Sequence, residues 1–183
     1  MARAFLVAIS AISLMAVAAC ATHPGEFEPF REVSCFQAAR VSLTEAIAAA
    51  EARGGKALDA DYREDEEMGC LTNEPGVYDV TLLDRGTIRA VSVDARSGAV
   101  GPQPESTVMN ALLGSGPHVE GSPAEMALLM PTMTMGMTEA IQAAEQDGGK
   151  VMSAWIEAKD GKPGYTVKLV QLGRVRVGWV ACG

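Results

Sequence analysis

Sulfur carries most of the reactive potential of this sequence. In the stretch "MALLMPTMTMGM", Met130, Met133 and Met135 have the M-x-x-M and M-x-M spacings with which soft thioethers gather around Cu(I). Methionine also fills irregular gaps where elements meet, and Met137 of the same stretch falls on an apolar helical stripe. Packing is therefore the expected use of the cluster, and a copper-handling site is its alternative. The four cysteines, Cys20, Cys35, Cys70 and Cys182, include no C-x-x-C pair, so thioredoxin-type exchange has no support. The two histidines, His23 and His118, stand beside no candidate nucleophile, and neither a G-x-S-x-G turn nor a metal-spaced histidine pair occurs. The chain reads as non-enzymatic, with no catalytic residue and no cofactor expected.

Two other motifs lose their chemistry once their neighbours are read. "GGK" occurs at Gly54–Lys56 and again at Gly148–Lys150. A phosphate loop needs the motif between a strand and a helix, with Ser or Thr after the lysine to reach Mg²⁺. Here it follows a helix, and Ala57 or Val151 takes the hydroxyl position, so the glycines are helix stops. The acidic run "DADYREDEE" lacks the sixth-position glycine and closing glutamate of a calcium loop. Asp59 and Asp61 are expected on the solvated face of an edge strand, with Glu64 to Glu67 at a hairpin tip.

The elements that must hold these residues begin with an exported N-terminus. Residues 1–19 carry one charge, Arg3, followed by an apolar run too short for a comfortable membrane span and unpunctuated as an amphipathic helix. That is the plan of a signal peptide. Val17-Ala18-Ala19-Cys20 then resembles a bacterial lipobox, in which small residues fit the peptidase cleft and the Cys20 sulfur receives diacylglycerol. Ordinary cleavage after Ala18 is the alternative. Lipid on Cys20 would hold the chain on a membrane, each buried methylene adding ~0.8 kcal/mol. Ala21 after the cysteine fits sorting to the outer membrane, facing the periplasm. Disulfides are permitted there. An excess of 23 Asp+Glu over 15 Lys+Arg excludes nucleic acid as an expected partner.

The rest of the chain is written twice. "TEAIAAAEARGGK" at Thr44–Lys56 and "TEAIQAAEQDGGK" at Thr138–Lys150 agree at ten of thirteen positions. The ungapped match runs from Ser42 to Glu66 against Gly136 to Asp160, and after an insertion holding Cys70 it resumes with Tyr78 against Tyr165. A repeat of this length is a folding unit. Each unit opens with a helix whose stripe is Leu43, Ala46, Ile47 and Ala50, or Met137, Ala140, Ile141 and Ala144. Ser42 and Glu45 form a capping box, and Gly136 stands at the second cap. Alternating "ALDADYR" and "VYDVTLL", the turn "DRG" and "TIRAVSV" follow as three antiparallel strands, matched by "VMSAWIE", "YTVKLVQ" and "RVRVGWV". The expected fold is α+β: two tandem αβββ units, each a helix on a three-stranded sheet. The boundaries are an N-terminal tether and lead-in at residues 20–41, units at 42–100 and 136–183, and a Pro/Gly/Ser-rich linker at 101–135 with short helices at Ser106–Leu113 and Ala124–Met130. Since the first strand runs back along its helix, the Cys70 insertion should lie near the helix N-terminus. Cys35 sits just upstream of that helix, so Cys35–Cys70 is the preferred bridge, with Cys182 a partly buried spare thiol.

These residues resemble the PepSY domain family, whose pattern runs from a helix with E-A-I-x-x-A through alternating strands to a closing V-D-A-x-x-G. Glu45-Ala46-Ile47, Ala50, Tyr78, Val80, Val93-Asp94-Ala95 and Gly98 carry the resemblance, and Glu139-Ala140-Ile141, Ala144, Tyr165 and Val167 repeat it. The second copy departs at its end, where "VACG" replaces "VDARSG". The resemblance implies a cystatin-like, non-catalytic module of the envelope that binds or inhibits a partner protein, with a peptidase the partner usually implied. A purely structural envelope lipoprotein is the third reading, beside copper handling.

Overall fold

The computed structural model describes residues 30–64, 75–102 and 122–182. Helix α1 spans Phe30–Ala38 and α2 spans Leu43–Glu51; strands β1 (Lys56–Arg63), β2 (Val77–Asp84), β3 (Thr87–Asp94) and β4 (Val100–Pro102) follow. Helix α3 (Pro123–Leu129) runs into a 3₁₀ turn at Met130–Thr132, and α4 (Met137–Glu145) precedes β5 (Lys150–Lys159), β6 (Lys162–Gln171) and β7 (Arg174–Ala181). All seven strands form one antiparallel sheet in the order β4-β3-β2-β1-β5-β6-β7.

The helix stripes do what their spacing demands. Leu43, Ala46, Ile47 and Ala50 of α2 are buried against Leu58, Ala60, Tyr62, Tyr78, Val80 and Leu82. Met137, Ala140 and Ile141 of α4 are buried over β5, β6 and β7. Ser42 Oγ accepts from the Glu45 amide at 3.2 Å while the Glu45 carboxylate accepts from the Ser42 amide at 2.8 Å, closing the capping box. At the second cap only one half is available: Glu139 accepts from the Gly136 amide at 2.9 Å. Gly54 and Gly55 end α2 with φ of +103° and +89°. A Cβ on Gly55 would sit 2.8 Å from the Leu83 carbonyl, so the second glycine also admits the neighbouring strand.

Several expectations change. The two three-stranded pieces are not separate sheets, because β1 pairs with β5 and Ala60 faces Ala154, its own counterpart 94 residues on. The acidic strand β1 is therefore central and not an edge. Strands β1 and β5 cover one another, which removes two open edges. Within the tether and lead-in at residues 20–41, α1 and the residue after it place Val33, Cys35, Phe36 and Ala39 in the core. The stretch 101–135 is not only a linker either: β4 extends to Pro102 along Val91–Val93 of β3, and α3 packs on β1 and β5 through buried Met126. A helix starting at Pro123 replaces the expected Ala124–Met130, with Ser122 and Glu125 forming its own capping box. The helix expected at Ser106–Leu113 lies outside the described residues.

Candidate functional site

Of the sulfur residues, Cys35 is 1% exposed and disulfide-bonded, and Cys182 is 2% exposed and free. Cys182 is thus fully buried where a partly buried thiol was expected, and burial pushes its thiol up from the ordinary value. Cys20 and Cys70 lie outside the described residues, as does the run from Asp65 to Glu67. The Cys35 sulfur lies 3.7 Å from the carboxylate of Glu64, the last described residue before the Cys70 segment. Met130, Met133 and Met135 are half-buried and pack against the core, and Met126 and Met137 belong to it.

The lysines of the two GGK words have different tasks. Lys56 makes an exposed ion pair with Glu51 at 2.8 Å. Lys150 Nζ donates to the carbonyls of Phe36 and Ala39 at 3.5 and 3.0 Å and stands 4.6 Å above the Phe36 ring. It caps the C-terminus of α1, where a cation meets the negative end of the helix. Burial lowers the Lys150 ammonium, with Glu145 and Glu45 opposing the shift. Phe36 continues into an edge-to-face stack with Tyr62 at 5.2 Å, and Tyr62 with Tyr78 at 5.6 Å.

On the sheet face turned away from α2, Asp59, Asp61 and Asp79 come together near the centre of the molecule. Arg63 pairs with Asp79 at 2.7 Å, Ser92 donates to Asp79 at 2.8 Å, and the Ser153 hydroxyl donates to Asp61. Asp59, part-exposed by area yet closely surrounded, is raised well above the ordinary carboxyl range by burial first and then by Asp61 and Asp79. The same face on β5–β7 carries Trp155, Thr166 and Trp179 side by side. Both indole N–H groups are buried without an acceptor, and Thr166 donates to Glu157. A Cβ on Gly164 would meet the Trp179 ring at 2.7 Å, so glycine is needed beneath the indole. Spacing alone hid this cluster because Asp59 and Asp61 alternate like any solvent-facing strand. Among the described residues no group of three His, Cys, Asp or Glu side chains could hold a metal ion.

The ends of the sheet differ. At one end β4 covers part of β3; at the other β7 runs eight residues as the last strand. Three hairpins turn through a non-glycine residue of positive φ followed by glycine: Arg85-Gly86, Asp160-Gly161 and Leu172-Gly173. Leu172, at φ +51°, is 94% exposed. Its signal was legible in principle, since Leu-Gly stands where Asn-Gly or Asp-Gly is favoured.

A helix laid across an antiparallel hairpin-and-strand, closed by an aspartate-anchored V-D-A-x-x-G turn, defines a small α+β module. Asp94 holds that turn: its carboxylate accepts from the Ser97 amide and hydroxyl, both at 2.7 Å, and the Gly98 φ is +73°. Residues 40–100 match the family model described as "PepSY: Peptidase propeptide and YPEB domain". No curated protein matches the chain. A solved crystal structure of a candidate lipoprotein from Clostridium difficile 630 is 12% identical, covering 78% of this chain and 87% of that one, with a TM-score of 0.34. Among the described residues no helix is long and apolar enough to cross a membrane.

Proposed function

We propose that the chain is a non-catalytic binding or inhibitory module of the bacterial envelope, built from two copies of one PepSY unit and acting on another envelope protein, a peptidase first among them. The observation that carries the reading is a set of anchoring bonds that recurs at the repeat spacing. Tyr78 Oη donates to the Val41 carbonyl at 2.7 Å, and Tyr165 Oη to the Met135 carbonyl at 3.2 Å. Glu51 accepts from the Ala57 amide at 3.0 Å, and Glu145 from the Val151 amide at 2.8 Å. The Ala95 amide donates to the Gly76 carbonyl, and the Cys182 amide to the Pro163 carbonyl, each at 3.0 Å. The register of β1 slips between Ala57 and Asp59, and that of β5 between Val151 and Ser153, 94 residues on in both cases. Random resemblance would not repeat caps, strand anchors and bulges together, so residues 136–182 are best read as a second unit beside the matched 40–100.

Lipid on Cys20 and a Cys35–Cys70 bridge complete the reading, and each supports the other. With Cys182 free and Cys35 bonded, the partner of Cys35 is Cys20 or Cys70. A lipidated Cys20 has its sulfur in a thioether, which leaves Cys70. Export across the inner membrane and retention on the periplasmic side of the outer membrane follow from the lipobox and Ala21.

Crosslinking in intact envelopes, followed by mass mapping without reduction, tests all of this. The expected outcome is a diacylglyceryl Cys20 peptide, a Cys35–Cys70 peptide and an adduct with an envelope peptidase whose activity the purified chain lowers. A Cys20–Cys35 peptide would remove both the anchor and the bridge, and peptidase activity unchanged at saturating protein would remove the inhibitory role.

A further inference from the structure

The last strand of the sheet has an unusual combination of charge and shape. The chain has a formal net charge of −8, yet residues 161–183 contain Lys162, Lys168, Arg174 and Arg176 and no acidic residue. Those residues build β6 and β7, and Arg174 and Arg176 are exposed on β7 itself. A terminal strand presents a row of backbone amides and carbonyls ready to pair with another chain. The corresponding strand of the first half, β3, has that row partly taken by β4. At the head of β7 stands Leu172, which combines two costs: a left-handed backbone that disfavours a branched side chain, and nearly complete exposure of an apolar one. Its counterpart in the first half is Arg85, with the same backbone and a polar side chain. Strain and exposure kept at one residue point to use in contact with something else.

Resting on the binding-module reading, we propose that β7 and its Leu172 tip form the docking edge, and that the occupant is an extended, carboxylate-rich peptide segment of a partner protein. The segment adds as an eighth strand, its backbone pairing with β7. Its carboxylates meet Arg174 and Arg176, and an apolar residue or socket of the partner receives Leu172. Main-chain pairing supplies affinity that depends little on sequence, and the arginines select for acidic segments.

The test uses the full chain and two synthetic ten-residue peptides, one alternating Thr and Glu and the other Thr and Lys, with amide hydrogen exchange and titration as readouts. The expected result is binding of the Glu peptide alone, new protection confined to residues 174–181, and loss of affinity as salt is raised. Arg176→Glu should weaken binding about tenfold or more, and Leu172→Asn should weaken capture of a whole partner while leaving the fold intact, because Asn-Gly suits the turn. Equal binding of the Lys peptide, protection at residues 100–102 instead, or no effect of Arg176→Glu would overturn the proposal. So would a finding that phosphatidylglycerol vesicles, and not the peptide, compete for the arginines. If wild-type chain crosslinks its envelope partner and both variants do so equally, the edge is wrong and the binding-module reading stands. If the Glu peptide binds β7 but no partner is crosslinked, the edge stands and that reading falls.

Discussion

The two halves of the sheet share a plan and differ in what their equivalent residues touch. Asp59 and Asp61 of the first half correspond to Ser153 and Trp155 of the second, so the face away from the helices is acidic on one side of the Ala60–Ala154 pair and aromatic on the other. Lys56 points into solvent, whereas Lys150 reaches across to cap α1. The carbonyl of Ala95 accepts from the amides of Arg40 and Val41, and the carbonyl of Cys182 accepts from the amide and hydroxyl of Thr134. The first half also carries the Asp94 turn and β4. The bonds that tie helix to sheet recur in both halves, and the residues between them differ. Ala60 opposite Ala154 resembles the self-complementary seam of a symmetric dimer, now within one chain.

The largest expected break in this comparison lies in α1. Phe36 is fully buried, stacks on Tyr62 and lies under Lys150. Ninety-four residues on, Met130 is only half-buried. Phe36→Ala should cost about 3–5 kcal/mol, as expected for loss of a buried aromatic. Met130→Ala should cost about 1 kcal/mol, in keeping with partial burial. Urea midpoints measure both. Equal losses would mean that α1 does not distinguish the halves.

How much could be read before the fold was known follows the range of each interaction. The α2 stripe, the Ser42–Glu45 box, the glycine stops and the Asp84–Gly86 turn depend on residues a few positions apart, and all stand as their spacing implied. The partner of β1 was not legible. Asp59 and Asp61 alternate with apolar residues as an exposed strand does, and the choice of β5 over solvent depends on contacts 94 residues away. Helix α1 leaves little signal in the sequence, because "FREVSCFQA" is short and has an apolar residue on only part of each turn. The β7 edge went unnoticed for a related reason: a strand's place in the sheet is a property of the whole topology. The candidate site was thus hidden where the halves diverge, and its residue types were visible throughout.

Tyr78 and Tyr165 sharpen the comparison at a smaller scale. Each donates to the carbonyl that precedes its unit's helix, but the first bond is shorter and Tyr78 is fully buried. Tyr78→Phe leaves the Val41 carbonyl without its buried donor and should cost about 1–3 kcal/mol; Tyr165→Phe should cost about 1 kcal/mol. Burial is the main cause that raises both phenols, Tyr165 to about 12 and Tyr78 further. The folded chain therefore keeps these protons at pH values where the unfolded chain, with a tyrosine value of about 10, has lost them. Their contribution is complete below about pH 10 and declines as pH rises toward 12 and beyond. Thermal melts between pH 8 and 11.5 should show that decline, and Tyr78→Phe should flatten it more than Tyr165→Phe. A profile unchanged by Tyr78→Phe would place the alkaline loss elsewhere.

The smallest effect separates cost from use at the two hairpin tips. Arg85 and Leu172 have nearly the same backbone, φ of 49° and 51°, each followed by glycine. Asparagine tolerates that conformation better than either, so Arg85→Asn and Leu172→Asn should each stabilise by about 0.5–1 kcal/mol, a shift of roughly 1–4 °C in midpoint. The two gains should be equal, because the strain is local and the sheet behind each turn is the same. If Leu172→Asn gained clearly less than Arg85→Asn, the leucine would be contributing contacts to the fold, and its exposure would no longer require an outside partner. Equal gains would leave Leu172 as the less stable choice at a site where the chain already tolerates a polar residue in its first copy.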